Sequence, residues 1–451
     1  MSVKRYSHLV GVAAGMVLTL ALSACQGLFQ VPKPPVEATG TGEILEALPG
    51  TSQQVTVRLA QGVEGAEVYL RLSDPCAQGK AVCPGWDTTR YPGVEHTREA
   101  FTLTASNPEA TFRFHVAQDA LPQGPFKWEL VAQDPSGREW TQPIYLRIMN
   151  PKDTPPLEAI NTWRRMVGVD PFSREDLERS FGCWQFARYA AKNQDNPDPP
   201  HTTNPNKPFY TPAADECARK SNTGVGWEAA GRLADNLIER YNALFVALPL
   251  HRPWLIAAYA SSQTYWYGHF SEWQERNGHT YLGTHIGMGL SRNGAISREI
   301  LFPPRDTEVP LKLMWAEWPD PIEACNATSA PKLPYKNSSE TWTIPAGLPI
   351  TVMTSAPFSQ VETEATYARL TRTRDGVVLP VCAFGSQQFW NGDQRATDTA
   401  GWILRNFGML VLVPKDPLGA GEEYEVELKG LFGGQEKSYK WRFKVAQNPY
   451  F

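Results

Sequence analysis

The amino-terminal end of the chain carries the pattern of a secretion signal, which constrains where the rest of the chain folds. Lys4 and Arg5 precede an apolar run from Leu9 to Leu22. This run is too short to span a bilayer as a permanent helix with proper flanks, and such segments direct a chain across a membrane. We therefore expect the remainder to fold outside the cytoplasm, where cysteines can form disulfide bonds.

A four-residue motif closes the apolar run. Leu22, Ser23 and Ala24 stand directly before Cys25. This motif resembles the lipobox of bacterial lipoproteins, in which the cysteine is diacylated, the peptide is cut before it, and the new amino end is acylated. The resemblance implies a signal peptide over residues 1–24 and a stable lipid anchor, since two or three acyl chains hold a protein on a membrane. The alternative is an ordinary signal peptide that contains a spare cysteine.

The overall composition limits the classes of partner. The hydrophobic content of 42% is sufficient for globular cores, and the length predicts two to four domains. The formal net charge of −4 gives no indication of nucleic acid or of an anionic membrane surface as a partner. No second apolar stretch approaches bilayer length, so the lipid is the only membrane anchor that the sequence predicts.

Six of the seven cysteines remain once Cys25 is assigned to the lipid. An even number in an oxidising compartment indicates disulfide bonds. Their positions along the chain favour three pairs: Cys76–Cys83, Cys183–Cys217 and Cys325–Cys382. A zinc site is the alternative, but the sequence contains no Cys-x-x-Cys pair.

Three segments have the patterns of a spacer or of β-structure. Residues 25–50 contain several prolines and glycines and predict an extended lipidated tether. Residues 51–150 contain short alternating strands at about ten-residue spacing, which predict a β-sandwich. Residues 335–451 are again strand-like, and Leu418 and Tyr424 have the spacing of a tyrosine corner, which is typical of immunoglobulin-like sandwiches.

The middle segment, residues 157–325, changes from strand to helix periodicity. The predicted helical stretches are Ala159–Val167, Glu175–Asn193 and Ala229–Leu250. Ser173 is the predicted amino-terminal cap of the second stretch. Strand-like runs follow from Tyr265 to Leu301, so this segment is expected to be an α+β domain.

An ordered set of short motifs runs through this middle segment. They are Asn161-Thr-Trp163-Arg164-Arg165, His201 after Pro199-Pro200, Pro249-Leu250-His251-Arg252, Tyr267-Gly268 and Glu317-Trp-Pro319-Asp-Pro321. Together they resemble the CAP superfamily (the cysteine-rich secretory, antigen 5 and pathogenesis-related 1 proteins), and its bacterial members most closely. The resemblance covers about Ala159 to Glu323 and implies an α-β-α sandwich with a central cleft. The expected fold class is therefore α+β, with a CAP-like α-β-α sandwich flanked by two all-β immunoglobulin-like sandwiches.

The resemblance also implies a set of cleft residues. In many CAP proteins two histidines and two acidic residues face each other and can hold a divalent metal, and His201 and His251 stand at the histidine positions. The usual Gly-Glu-Asn stretch is absent, so Glu228 is the nearest acidic candidate and Glu239 the second. Two neutral imidazoles with one or two carboxylates would make an open zinc site. Alternatively, both histidines only hydrogen-bond to structural neighbours.

Seven aromatic side chains are crowded within twenty residues of the middle segment. They are Trp254, Tyr259, Tyr265, Trp266, Tyr267, Phe270 and Trp273. They could line a groove for a lipid, glycan or peptide, or they could form the core between helix and sheet. We expect core, because aromatic side chains usually contribute most by burial.

These features leave two candidate functions. The first is a non-enzymatic binding or adhesion module of the bacterial cell envelope, with a lipid anchor and an unidentified envelope or extracellular ligand. The second is a metal-dependent hydrolase or peptidase with His201 and His251 as ligands and Glu228 as base. The sequence contains no HExxH, GxSxG, GxGxxG or Walker motif. We favour the binding module because the acidic set is incomplete, with zinc as the one cofactor that the residues suggest.

Overall fold

The structure is a computed structural model that describes residues 34–39, 42–229, 236–259, 263–276, 279–291, 296–327, 341–354 and 356–450. Within these ranges the chain is rich in β-structure and forms several sheets. The predicted signal peptide, Cys25 and the first part of the predicted tether lie outside the described residues.

The helices and strands have the following bounds. The described helices are α1 (Pro156–Met166), α2 (Leu177–Lys192), α3 (Pro212–Lys220), α4 (Leu237–Ala247), α5 (Arg252–Ile256), α6 (Pro321–Asn326) and α7 (Gln394–Phe407). The described strands are β1 (Val36–Ala38), β2 (Ile44–Ala47), β3 (Ser52–Leu59), β4 (Gly65–Leu72), β5 (Val94–His96), β6 (Phe101–Thr104), β7 (Glu109–Val116), β8 (Gln123–Gln133), β9 (Glu139–Ile148), β10 (Arg174–Glu175), β11 (Asn222–Ala229), β12 (Thr264–Arg276), β13 (His279–Leu290), β14 (Ile300–Phe302), β15 (Glu308–Val309), β16 (Leu313–Met314), β17 (Ala346–Gly347), β18 (Ile350–Met353), β19 (Thr363–Arg372), β20 (Val378–Leu379), β21 (Val381–Phe384), β22 (Met409–Pro414), β23 (Glu423–Phe432) and β24 (Gln435–Val445).

The amino-terminal part consists of two sheets that share one core. One sheet has the strand order β1-β3-β7-β5, and the other places β2, β9, β8, β4 and β6 side by side. Buried and exposed residues alternate along β7, so one face of this strand points inward. Phe114 of one sheet packs edge-on against Trp128 of the other, with ring centroids 4.9 Å apart. The regular elements between residues 51 and 150 are strands, as the alternation predicts.

The predicted tether is shorter than expected. Val36–Ala38 pairs with β3, and Ile44–Ala47 pairs in parallel with β9. Val36 and Ala47 are buried in the amino-terminal core. The second half of the range 25–50 therefore belongs to the folded body, because its apolar residues complete the two sheets.

The second sheet continues into the middle part of the chain. Gly124 of β8 pairs with His269 of β12, and this pairing joins β12, β13 and β11 to one nine-stranded sheet. His269 is fully buried there, and burial lowers its pKa to about 3, so its ring is neutral. The amino-terminal and middle parts thus share a sheet.

Helix α2 begins later than the sequence predicts. Asp176 is its amino-terminal cap, and Oδ1 of this residue accepts a hydrogen bond from the backbone N–H of Arg179 at 3.1 Å. The predicted cap, Ser173, lies before β10. Residues 174–175 pair in parallel with β12, which keeps the chain extended until the helix can start.

A buried ion pair joins α2 to the segment after β4. Both terminal nitrogens of Arg188 bind the carboxylate of Asp74, and both side chains are almost completely buried. The guanidinium group also lies 4.5 Å from the ring centroid of Trp184 and 4.9 Å from that of Trp86. Pairing and stacking together compensate the cost of removing this charge from water.

Helices cover both faces of β11, β13 and β12. On one face α2 approaches so closely that a Cβ atom on Gly268 would lie 2.2 Å from the backbone nitrogen of Trp184. On the other face α4 packs on β11, where a Cβ atom on Gly224 would lie 2.9 Å from the ring of Phe245. A side chain at either position would collide with the helix, so close packing of the helices requires glycine at both.

The predicted helix over Ala229–Leu250 is only partly present. Ala229 ends β11, and α4 extends from Leu237 to Ala247. Residues 230–235 lie outside the description. The residues before Ala229 form a strand because Gly224 and Gly226 leave space for the rings of α4.

The described carboxyl-terminal part has two larger sheets and one long helix, and a two-stranded sheet, β16-β17, joins it to the middle part. The strand orders of the two larger sheets are β14-β18-β22-β21 and β15-β24-β23-β19-β20. The backbone N–H of Gly419 donates to the phenol oxygen of Tyr424 at 2.7 Å, so the predicted tyrosine-corner residue does bond back to the chain. This part is not all-β, however, because α7 packs an amphipathic face on its core and is capped by Asp393.

The carboxyl-terminal part shares its core with the middle part. One continuous cluster contains side chains of α1, α4 and α5 together with those of β18, β22 and β23. The buried Arg252 spans this junction, since its guanidinium donates to the backbone oxygen of Ala247 and to Oγ1 of Thr351. These two parts are thus tied by packing as well as by chain connection.

The three disulfide bonds predicted from the sequence are present. They are Cys76–Cys83, Cys183–Cys217, which joins α2 to α3, and Cys325–Cys382, which joins α6 to β21. Disulfides indicate an oxidising environment outside the cytoplasm. Among the described helices, none has the length and apolar character needed to cross a bilayer.

Candidate functional site

The first predicted cleft histidine, His201, lies in the loop between α2 and α3. Its backbone φ of 62° is in the left-handed region, which is uncommon for residues other than glycine. Its Nδ1 is 3.0 Å from the backbone oxygen of Ala218. Because a carbonyl oxygen only accepts, Nδ1 carries a proton, and the neutral form of the ring has its lone pair on Nε2.

The second predicted histidine, His251, directly precedes α5 and is paired with a carboxylate. Its Nδ1 is 2.6 Å from Oε2 of Glu317, whose side chain is fully buried. The other carboxylate oxygen accepts a hydrogen bond from the backbone N–H of Leu250 at 3.2 Å. When Nδ1–H donates to this carboxylate, the neutral form of the His251 ring has its lone pair on Nε2.

The structure brings these two histidines into one groove of about 560 Å³. We call it the histidine groove, and we define it by Tyr189, His201, Trp227, His251, His285 and Trp318. It lies on the α2 side of β11. The groove thus combines three imidazoles with aromatic rings.

The third imidazole, His285, was not predicted as a site residue. It lies on β13 opposite Val225 of β11. Burial lowers the pKa of His285 to about 4, with Glu272 opposing this shift, so the ring is neutral around neutral pH. In the described part of the chain its Nε2 has no hydrogen-bond partner.

A second groove, of about 600 Å³, lies on the opposite face of β11. We call it the α4 groove, and we define it by Arg240, Tyr241, Leu244, Phe245, Leu248 and Trp315. Five residues line both grooves: Thr223, Gly224, Val225, Trp227 and His251. The two grooves therefore meet along β11.

Of the two predicted acidic residues, the structure describes the side chain of Glu239 only. The backbone of Glu228 pairs with Leu282 in β13, and its side chain lies outside the description. Glu239 lies in the first turn of α4, where its Oε1 accepts from the backbone N–H of Thr154 at 2.7 Å. Within the described ranges, no group of three or more His, Cys, Asp or Glu side chains has a metal-holding arrangement. The carboxylate beside a cleft histidine is instead Glu317.

Glu239 takes part in a separate acidic contact at the start of α4. The neighbouring Asp153 accepts hydrogen bonds at 3.2 Å from the backbone N–H groups of Ile238 and Asn150. Burial, and to a smaller extent the charge of Glu239, raise the pKa of Asp153 to about 7. The hydrogen bonds from the backbone lower this pKa and so oppose the shift. This pair joins the segment after β9 to α4, away from the histidines.

The crowded aromatic residues are mostly core, as predicted. Tyr259, Tyr265, Trp266, Tyr267 and Phe270 are buried, and Trp254 is nearly so. Trp273 is the exception, with 47% of its surface exposed. The tryptophan rings that line the grooves, Trp227, Trp315 and Trp318, lie outside this run of residues, and of these only Trp318 stands in one of the motifs of the CAP resemblance.

Comparisons with known proteins assign no family to the chain. No family model matches, and no curated protein matches. Among solved structures, the E. coli chaperone DraB is similar at 12% identity and a TM-score of 0.20, over 28% of this chain and 60% of DraB. The PapD-like domain 7 of human CEP192 is similar at 11% identity and a TM-score of 0.18, over 33% of this chain and 97% of that domain. The BIgI domain of the S. agalactiae beta protein, bound to CEACAM1, is similar at 14% identity and a TM-score of 0.16. The similarity covers 26% of this chain and 97% of that domain.

Proposed function

We propose that the chain is a lipid-anchored, CAP-like protein of the bacterial cell envelope that binds a ligand in the histidine groove without catalysing a reaction on it. The main support is the position of His201 and His251, the two histidines that the CAP resemblance singles out, in one groove. Helices on both faces of β11, β13 and β12 also support the resemblance. The three disulfides agree with a place outside the cytoplasm.

The chemistry of the groove fits a neutral ligand rich in hydrogen-bond donors. Nε2 of His251 can accept a hydrogen bond, because its Nδ1 is bonded to Glu317, and the buried Nε2 of His285 has no hydrogen-bond partner in the described part of the chain. The rings of Trp227 and Trp318 offer flat apolar surface beside these acceptors. Hydroxyl groups of a glycan or amide groups of a peptide meet both requirements.

One observation favours the second candidate, a metal-dependent hydrolase. Histidines that bind metals usually donate their other ring N–H to a carboxylate or a backbone carbonyl, as His251 and His201 do here. These two Nε2 atoms would hold a zinc ion, which would supply Lewis-acid activation of water. Glu317 would orient His251 without itself touching the metal.

A zinc titration separates the two candidates. By calorimetry of the purified protein at pH 7.5, we expect no zinc binding with a Kd below about 1 μM, because no group of three or more candidate ligands comes together among the described residues. Submicromolar binding that is lost in both His201→Ala and His251→Ala, but kept in His279→Ala as a surface control, would overturn the binding module in favour of the hydrolase. Such binding should also weaken below about pH 6.5, as the imidazoles become protonated.

The anchoring part of the proposal has its own test. We expect Cys25→Ser to move the protein from the membrane fraction to the soluble fraction, or to leave its signal peptide uncleaved, because the acyl chains are the only predicted anchor. Fractionation and immunoblotting measure this change. Ser23→Gly, which keeps a small residue in the motif, should remain anchored. Equal membrane recovery of Cys25→Ser and the unchanged protein would refute lipidation at this position.

A further inference from the structure

We propose that the outer edge of β11 binds an extended peptide as an added strand, whose alternate side chains enter the histidine groove and the α4 groove. This inference rests on the proposed function, because it names the class of ligand that the grooves receive. Three features of the molecule lead to it: the edge itself, the positions of the two grooves, and the different chemistry of the grooves.

The first feature is the edge position of β11. Among the described strands, this one is the last in its sheet and pairs with β13 alone. In an antiparallel strand, every second residue directs its N–H and C=O groups away from the partner strand. Within the described part of the chain, no loop or side chain hydrogen-bonds to the backbone of residues 223–226. These outward groups are therefore available to pair with another chain.

The second feature is the position of one groove on each face of β11. Thr223 and Val225 lie opposite Gly287 and His285, on the α2 side of the sheet. Gly224 and Gly226 point to the α4 side, since Cβ atoms there would collide with rings of α4. Both grooves reach residues 223–225, so they meet at the edge where a new strand would lie.

This geometry selects an extended peptide among the classes of ligand. Successive side chains of a strand point to opposite faces of the sheet, so a strand added to β11 would send alternate side chains into the two grooves. A helix, with 3.6 residues per turn, does not divide its side chains between two faces in this way. A glycan has no repeating N–H and C=O groups to continue the sheet.

The third feature is the difference between the grooves, which predicts the pattern of the peptide. The α4 groove is lined mostly by apolar side chains, among them Leu244, Phe245 and Leu248, and favours aliphatic or aromatic side chains. The histidine groove offers imidazole acceptors and favours side chains that carry hydroxyl or amide donors. We therefore expect the bound segment to alternate between apolar and polar donor residues over four to six positions.

A random dodecapeptide library displayed on phage tests the inference with the complete protein as bait. We expect enriched peptides with this alternation and, for synthetic copies, micromolar affinity. N-methylation of single peptide amides should weaken binding at least tenfold at every second position and leave it within twofold at the positions between. This period of two arises because only alternate amides face β11. Loss of affinity without this period would overturn strand addition.

A pair of valine variants tests the same edge from the side of the protein. Val225 of β11 is 39% exposed and Val378 of β20 is 49% exposed, so the two are matched in exposure. Val225→Lys places a charge at the edge and should weaken the selected peptide at least tenfold, whereas Val378→Lys should not. Equal melting temperatures of the two variants would show that both are folded. Unchanged binding to Val225→Lys would overturn the inference.

The outcomes also separate this inference from the proposed function. A selected peptide that His201→Ala weakens but Val225→Lys does not would leave the groove as a binding site and remove the strand. Failure of the library to enrich any peptide would overturn the inference and leave other groove ligands open. If the protein forms a dimer that Val225→Lys dissolves, as measured by analytical ultracentrifugation, a second copy and not a peptide occupies the edge.

Discussion

Replacing Arg188 by alanine is expected to lower the free energy of unfolding by about 3–5 kcal/mol, because it leaves a buried carboxylate without its partner. The carboxylate of Asp74 accepts hydrogen bonds from both terminal guanidinium nitrogens of Arg188. It also accepts one from the backbone N–H of Cys76 at 3.0 Å. The variant also removes the cation that stacks on Trp184 and Trp86. The loss should appear as a shift of the first unfolding transition in urea.

An exposed ion pair provides the control for this prediction. Arg58 and Glu109 are 2.7 Å apart, but their side chains are 65% and 47% exposed. Arg58→Ala should therefore cost less than about 1 kcal/mol. If Arg188→Ala were as mild as Arg58→Ala, the buried pair would not hold α2 to the amino-terminal part as described.

The second large effect is a dependence of stability on pH that arises at Asp153. Its pKa is about 7 in the folded protein, against an ordinary value of 3.8, so the folded state binds this proton more tightly than the unfolded state. The contribution of this proton to the free energy of unfolding is complete below about pH 4 and is lost as the pH rises through 7. The full difference is on the order of 4 kcal/mol, from about three pKa units at 1.36 kcal/mol each.

Asp153→Asn should remove most of this dependence. Between pH 4.5 and 7.5, denaturation midpoints of the variant should fall less steeply than those of the unchanged protein. Glu239 stays in the variant, so the charge that faces Asp153 across this contact is retained. Asp119→Asn, at an exposed position, should keep the original slope. Parallel pH profiles for Asp153→Asn and the unchanged protein would contradict the assignment.

The features that could be predicted from the sequence depend on local spacing. The helix that became α2 carries apolar residues at helical spacing, and the cysteines pair with partners in the order of the chain. Helix α7 was not predicted, although its sequence carries a clear helical signal. Asp393 caps it, and Ala396, Ala400, Ile403 and Phe407 recur at helical spacing.

The features that could not be predicted depend on contacts between distant residues. Glu317 meets His251 across 66 positions of the chain, and nothing near Glu317 marks it as a partner of an imidazole. The strand β11 is weak by local propensity because it contains Gly224 and Gly226, which are poor strand formers. It forms because the rings of α4 fill the space that these glycines leave. Tertiary packing therefore determines both the formation of β11 and the position of the Glu317 carboxylate beside His251.

The early start of the folded body sets how far the protein can stand from a membrane. Val36 is already paired with β3, and it follows Cys25 by eleven residues. Eleven residues span at most about 40 Å, at roughly 3.6 Å per residue, even when fully extended. With a lipid on Cys25, the first strand would thus be confined to a shell of about 40 Å above the bilayer.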